Sequence, residues 1–356
     1  MHPKSILVTG GCGFIGSSLA LRFKRSRPTA RVVCLDNLKR RGSELNISRL
    51  REHGIEFFHG DIRNPEDIEA AGSFDLLLEC SAEPSVLAGY GASPEYLVNT
   101  NLVGTLNCLE QARKRGAMFL FLSTSRVYPV RAVNNLAYVE QDTRYALASA
   151  QQVPGVSACG IAETFPLEGA RSLYGATKLA SELIIQEYAD MYGLKVIIDR
   201  CGVLTGPWQF GKVDQGVVVL WVARHFWKQD LSFIGFGGEG KQVRDILHVD
   251  DLYDLLERQL ADPDRHQGQV YNVGGGLDSS VSLAELTELC VEVTGNRIPI
   301  SRIAETRPAD IRLYISDTQR VELATGWRPK WTPRDIVRDI CEWIAANETA
   351  LKGVLQ

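Results

Sequence analysis

The chain has 356 residues, with 39 lysines and arginines against 43 aspartates and glutamates, a formal net charge of −4. That balance argues against general binding to nucleic acid or to an anionic membrane surface, and the length suits one large α/β domain with a smaller lobe. No apolar run reaches the roughly 18 residues of a spanning helix, and Met1-His2-Pro3-Lys4 leads straight into a strand pattern. A membrane helix and a secretion signal are therefore not expected, and the cytoplasm is the expected location. The eight cysteines form no Cys-x-x-Cys, and no histidine pair has metal-ligand spacing. They read as reduced core thiols, with no metal site.

In chain order, Ser5-Ile6-Leu7-Val8 predicts a first strand, and residues 14–24 have helical periodicity. Arg31-Val32-Val33-Cys34-Leu35, Glu56-Phe57-Phe58, Asp75-Leu76-Leu77-Leu78, Met118-Phe119-Leu120-Phe121-Leu122 and Lys195-Val196-Ile197-Ile198 predict further strands. Amphipathic helices fall between them, the longest over 94–114 and 172–191. Apolar strands alternating with helices predict an α/β fold, a doubly wound parallel sheet covered on both faces. From 129 to 169 the pattern weakens, and Asn134-Asn135, Pro154-Gly155 and Gly160 interrupt it. Long loops without structure of their own are often lids, and this insertion is expected to be one. After 202 the order changes: strands over 231–234 and 269–273 mix with helices over 249–260, 283–294 and 333–347. The expected division is a nucleotide-binding domain over 1–200, carrying the insertion, and a smaller lobe over 201–356 intertwined with it.

Thr9-Gly10-Gly11-Cys12-Gly13-Phe14-Ile15-Gly16 spaces glycines at 10, 13 and 16 between a strand and a helix. Glycine permits the tight turn and lets backbone approach a pyrophosphate, which then meets a helix N-terminus. Asp36 ends the second strand, 20 positions after Gly16. A carboxylate there bonds the ribose 2′-hydroxyl and repels a 2′-phosphate, which favours NAD over NADP, although Lys39, Arg40 and Arg41 follow closely. Asp61, at the carboxyl end of the third strand, suits either the adenine amino group or a helix N-cap.

Ser123, Thr124 and Ser125 end another strand. Tyr174 and Lys178 lie four apart on one helical face. Hydroxyls at a strand end usually make turns, and a Tyr-x-x-x-Lys pair alone means little. Beside a nucleotide fingerprint they form a device for moving a proton off an alcohol. The ammonium favours the tyrosinate, and Thr124 shares the proton in a hydrogen bond.

With these motifs the chain resembles the extended short-chain dehydrogenase/reductases, in their nucleotide-sugar epimerase/dehydratase group, over nearly its whole length. The resemblance implies a Rossmann-type fold and an NAD cofactor. It implies cofactor contacts from Gly10, Gly13, Phe14, Ile15, Gly16, Asp36, Asn37, Asp61, Ile62, Ser81, Ala82, Asn101, Ser123, Tyr174, Lys178, Cys201 and Val203. It implies catalytic roles for Thr124, Tyr174 and Lys178. Leu204-Thr205-Gly206-Pro207, Asp214-Gln215-Gly216 and Gly240-Lys241-Gln242-Val243-Arg244-Asp245 are similar to the CDP-paratose 2-epimerase group, as are Asp142-Thr143-Arg144-Tyr145 and Gly160-Ile161-Ala162-Glu163 in the insertion. That likeness implies a CDP-sugar substrate, contacted by Glu83, Thr124, Arg126, Gln215, Arg244, Arg307 and Asp310. Arg244 would meet the diphosphate through charge-assisted bonds, and Arg307-Pro308-Ala309-Asp310 would clamp the nucleotide. Ser125-Arg126 and Glu83 depart from the group's usual residues beside the sugar.

Three readings stay open. In this family 4,6-dehydratases normally carry Asp-Glu directly after the catalytic threonine, and here Ser125-Arg126 stands there. A UDP-sugar 4-epimerase shares the same catalytic residues. A non-catalytic nucleotide-binding protein would be expected to lack the Tyr–Lys pair. A homodimer is expected through the helices over 94–114 and 172–191. His59 and His248 are assigned no chemistry.

Overall fold

The computed structural model describes residues 2–210 and 215–355. Its main sheet has seven strands: β1 (Ser5–Thr9), β2 (Arg31–Asp36), β3 (Glu56–His59), β4 (Leu76–Glu79), β5 (Met118–Thr124), β6 (Val196–Cys201) and β7 (Val270–Val273), in the order β7-β6-β5-β4-β1-β2-β3. β1 pairs in parallel with β2 and β4, β2 with β3, and β4 with β5. The expected doubly wound parallel sheet is therefore present. Strands such as Leu76–Glu79 and Met118–Thr124 are buried at every residue, as their continuous apolar runs require. The strand order reverses between β1 and β4. In such sheets the crevice at the carboxyl ends of the strands beside the reversal takes the ligand.

Three helices position the site. Helix α1 (Phe14–Ser26) packs on β1 and β2. Helices α2 (Gly104–Arg115) and α3 (Leu173–Tyr192) pack against one another. Their Cys108, Leu109, Ala112 and Ile185 form a single buried cluster with Leu7, Val33, Leu77, Phe119 and Phe121 of the sheet. The single helix expected over 94–114 is divided. A short α-helical turn (Glu95–Val98) leads into a π-helical stretch (Asn99–Val103), and only then does α2 begin. Gly116, at φ 62°, ends α2 in the left-handed conformation, after a last turn carrying Arg113, Lys114 and Arg115.

The chain divides into two compact units. The first comprises Met1–Val127, Leu173–Arg200 and Tyr253–Tyr271; the second comprises Tyr128–Ser172, Cys201–Leu252 and Asn272–Gln356. The insertion, grouped by sequence with the nucleotide-binding half, thus falls in the second unit. It also has structure of its own, unlike the irregular lid expected. It holds a short helix (Val130–Asn134) and two small antiparallel hairpins, Tyr138–Glu140 with Tyr145–Leu147 and Val156–Ser157 with Gly160–Ile161. Its bonds run to distant parts of the second unit: Tyr145 N–H to Lys241 O at 3.0 Å, Ile161 N–H to Ile315 O at 2.8 Å, and Asn272 N–H to Glu163 Oε1 at 2.6 Å. Elsewhere in that unit, Leu231–Ile234 pairs with Ile300–Ile303, and Val243–His248 pairs with Val203–Thr205, Ser280–Ser282 and Leu313–Tyr314. The helix Leu283–Thr294 opens with a reciprocal capping box between Ser282 and Glu285.

Among the described residues no helix is long and apolar enough to cross a membrane, and no group of three or more His, Cys, Asp or Glu could hold a metal ion. All eight cysteines are free; five are buried and Cys159 is exposed.

Candidate functional site

The glycine loop joins β1 to α1 at the sheet's reversal point. Gly10 has φ 62°, and a Cβ there would lie 2.8 Å from Cys80 O, after the end of β4. A Cβ on Gly16 would lie 2.3 Å from Gly10 O, so only glycine lets the first turn of α1 close onto the loop. No side chain caps that turn, which begins after Gly13. A helix start without a side-chain cap suits an anionic phosphate.

Asp36 is 9% exposed, with Oδ2 accepting from Cys12 N–H at 2.9 Å and Oδ1 from Leu38 N–H at 2.8 Å. Burial raises its pKa against these backbone bonds. The carboxylate thus holds the glycine loop itself. Asp61 accepts from Arg63 (Nε 2.9 Å, Nη2 2.6 Å) and from Asn37 Nδ2 at 2.8 Å. Burial alone would raise its pKa, but those donors outweigh it and hold it at about 2. Tyr96, which the sequence did not single out, bonds Asn37 and stacks under Lys39 (3.9 Å) and Arg63 (4.8 Å). Ile62 is buried, and its carbonyl accepts from Asn107 Nδ2 at 2.9 Å. This chemistry fits an NAD: a cradle that any Cβ would fill, an uncapped helix start, and a carboxylate at the end of β2.

Asn101, in the π-helical stretch, is 1% exposed. Its side chain accepts from Glu83 N–H at 2.8 Å and donates to Glu83 O at 3.1 Å and to Thr177 Oγ1 at 3.4 Å. Thr177 Oγ–H donates in turn to Tyr174 O at 2.9 Å, and Ser181 Oγ–H to Asn101 O at 3.0 Å. Asn101 therefore ties the Ser81-Ala82-Glu83 loop to the first turn of α3, which carries Tyr174.

Thr124 ends β5, buried, with Oγ1 accepting from Arg126 N–H at 3.2 Å. Helix α3 packs on β5 and on the 3₁₀ turn Ser125–Val127. Tyr174 is half-buried one turn before Lys178, which is 2% exposed. The Lys178 ammonium lies 3.8 Å from the Phe121 ring centroid and 3.7 Å from Glu79 Oε2. Ser123 hydroxyl donates to Glu182, whose carboxylate also takes Arg200 at 2.7–3.1 Å, all buried. Sequence reading missed Glu79, Glu182 and Arg200. A lone Glu ending an apolar strand was the available signal for the first.

In the second unit, Arg244 Nη2 donates to Asp310 Oδ1 at 3.0 Å and to Ile311 O at 2.7 Å. Two residues singled out from separate motifs are thus an ion pair, and Arg307 O accepts from Asp310 N–H on the same loop. Val203 is half-buried in its strand, Cys201 ends β6, and Gln215 is half-buried; Asp214 lies outside the described residues. His248 stacks on Trp331 at 4.0 Å and meets Asp339 at 3.1 Å, a packing role.

Residues 6–274 match the family described as NAD dependent epimerase/dehydratase family. The chain is 31% identical to the CDP-paratose 2-epimerase of Salmonella typhi, covering 96% of this chain and 99% of the relative. It is 30% identical to a dTDP-glucose 4,6-dehydratase of Actinoplanes, covering 97% and 98%. Among solved structures, a Thermotoga maritima UDP-glucose 4-epimerase with UDP-glucose superposes with a TM-score of 0.78 at 25% identity, covering 97% of this chain and 99% of that one. A Thermus thermophilus UDP-glucose 4-epimerase in complex with NAD superposes with a TM-score of 0.76 at 26% identity, covering 96% and 99%. With a glycine loop built for a dinucleotide and a threonine, tyrosine and lysine held at the ends of β5 and α3, the chain belongs to the NAD-dependent epimerase/dehydratase family of nucleotide-sugar enzymes.

Proposed function

We propose that the chain is a nucleotide-sugar epimerase, with CDP-paratose as substrate and C2 as the carbon inverted. The reading rests on one observation. Thr124 is followed by Ser125 and Arg126, so the carboxyl pair that would eliminate water is missing, while Tyr174 and Lys178 remain for reversible oxidation. NAD, held by the glycine loop, Asp36 and Asp61, would supply the reversible hydride exchange at the sugar carbon. Tyr174, as tyrosinate, accepts the hydroxyl proton as the carbonyl forms, and Thr124 hydrogen-bonds the same oxygen. Lys178 stabilises the tyrosinate by charge. The keto sugar turns over, and Tyr174 gives the proton back to the oxygen as the opposite face of the carbon is reduced. Glu83 and Arg126 would contact the sugar, Arg244 the diphosphate, Arg307 a phosphate and Asp310 the ribose, with Gln215 also on the substrate. The 31% likeness to a CDP-paratose 2-epimerase supports CDP-paratose.

A UDP-sugar 4-epimerase is the second reading, supported by the solved structures of that activity. The test is to incubate the protein with CDP-paratose and with UDP-glucose and resolve the products. Appearance of CDP-tyvelose, abolished in Tyr174→Phe with NAD still retained, carries the first reading. UDP-galactose alone would replace it with the second. A 4-keto-6-deoxy product would overturn both.

The assembly proposed is a homodimer. Helix α3 exposes Leu173, Leu183, Met191 and Tyr192, and the neighbouring segment exposes Val103 and Leu106. Apolar side chains on two packed helices suit burial against a second copy.

A further inference from the structure

Glu79 is buried completely at the carboxyl end of β4, on the strand beside the sheet's reversal. Its in-register neighbours are Thr9 of β1 and Phe121 of β5, whose side chains share its face of the sheet. Neither carboxylate oxygen completes a hydrogen bond of good geometry among the described residues, although Lys178 and the Ser81 backbone N–H both pull on the carboxylate. Among the described residues one cation is in reach, Lys178 Nζ, 3.7 Å from Oε2. The titratable groups facing Glu79 are Lys178 from α3 and Cys108 from α2, whose thiol burial pushes well above its ordinary range and so keeps neutral. Thr9 and Phe121 bring no charge. A buried carboxylate so poorly hydrogen-bonded is costly, and three leucines precede it on the same strand. Nothing in the fold of β4 requires an acid there.

We propose that Glu79 is a positioning residue for the Tyr174–Lys178 pair: it seats the lysine ammonium on the floor of the sheet and offsets its charge, which keeps Tyr174 a strong enough base to hold a sugar proton. The role in turnover rests on the epimerase reading; the charge coupling does not. With Glu79 ionised, tyrosinate, ammonium and carboxylate sum to one negative charge, and taking up a proton neutralises the group. Without it, the same uptake builds a buried positive charge. Burial raises the Glu79 pKa against the opposing pull of Lys178, so the compensation is present at neutral to alkaline pH and fades on acidification.

The test is a tyrosinate absorbance titration of the NAD-loaded protein, with Tyr174 assigned by subtracting the Tyr174→Phe variant. Wild type, Glu79→Asp and Glu79→Gln are compared, each shown to be folded by thermal melting. The expected order of Tyr174 midpoints is wild type highest, Glu79→Asp lower and Glu79→Gln lowest, the last displaced on the order of one pH unit. The acid limb of kcat moves in the same direction. Should Glu79→Gln not fold, the shorter Glu79→Asp still reads the effect through its intermediate midpoint. Coincident midpoints in all folded variants overturn the proposal. Because the titration needs no sugar, a shifted midpoint without conversion of CDP-paratose refutes the substrate reading alone, and conversion with unmoved midpoints refutes Glu79 alone.

Discussion

Asp199 lies on β6, fully buried, with Oδ1 accepting from Gln259 Nε2 at 2.8 Å; burial lifts its pKa from an ordinary 3.8 to about 7. The folded state therefore holds this proton more tightly than the unfolded chain does. That contribution to stability is complete below pH 4 and is lost as the pH rises to about 7. At about 1.4 kcal/mol per pH unit, the loss is at most on the order of 4 kcal/mol. Asp199→Asn keeps the acceptor for Gln259 and removes the titration. Urea unfolding should show the variant more stable than wild type at pH 8 and equal to it at pH 4; parallel curves at both pH values would contradict this. Asp36 stood out in the sequence by its fixed offset from the glycine loop, whereas the Tyr174–Lys178 spacing gained weight only beside that loop and Thr124. Glu182 and Arg200 were not legible, since their ion pair joins a helix to a strand through packing that no local pattern encodes. Glu79 lay in plain sight after three leucines, but its lysine partner is 99 positions away along the chain.

At the scale of elements, the loop between β1 and α1 has no room for a side chain at Gly10, Gly11 or Gly16. Gly16→Ala would set a methyl 2.3 Å from Gly10 O and 2.9 Å from Gly11 Cα, both backbone. Neither can yield unless α1 moves. Overpacking of this kind costs about 1–3 kcal/mol, and here the displaced helix start is also the proposed phosphate cradle. Gly16→Ala should lower the melting temperature and cut the NAD released on denaturation by roughly tenfold; full retention of NAD would show that the cradle adapts. The sheet strands and α3 were readable because their apolar patterns continue over whole elements, whereas the break at Asn99–Val103 left no mark in the periodicity. The insertion was not readable, because its strands are two or three residues long and owe their form to distant partners such as Ile315 and Lys241. Pairing of that kind leaves no periodicity in the sequence.

At the scale of the whole molecule, the exposed apolar residues of α3 predict the assembly. Met191 is 64% exposed and Leu183 57%. Replacing both by glutamate should leave the fold intact and convert a dimer to a monomer in sedimentation experiments, because two copies of each charge would face a dry interface. A wild-type monomer would overturn the proposal. The π-helical stretch Asn99–Val103 sits upstream of α2, with Asn101 within it and Leu106 just beyond. Each residue added to or removed from a helix rotates everything downstream by about 100°. Deleting one residue here would restore a regular helix at the expense of phase: either Asn101 turns away from Glu83, or Leu106 leaves the exposed stripe. The widened turn works as a gear between two surfaces of one segment, letting the nucleotide site and the outer face each keep its own angular setting. A one-residue length change at this point should therefore be less tolerated than most substitutions.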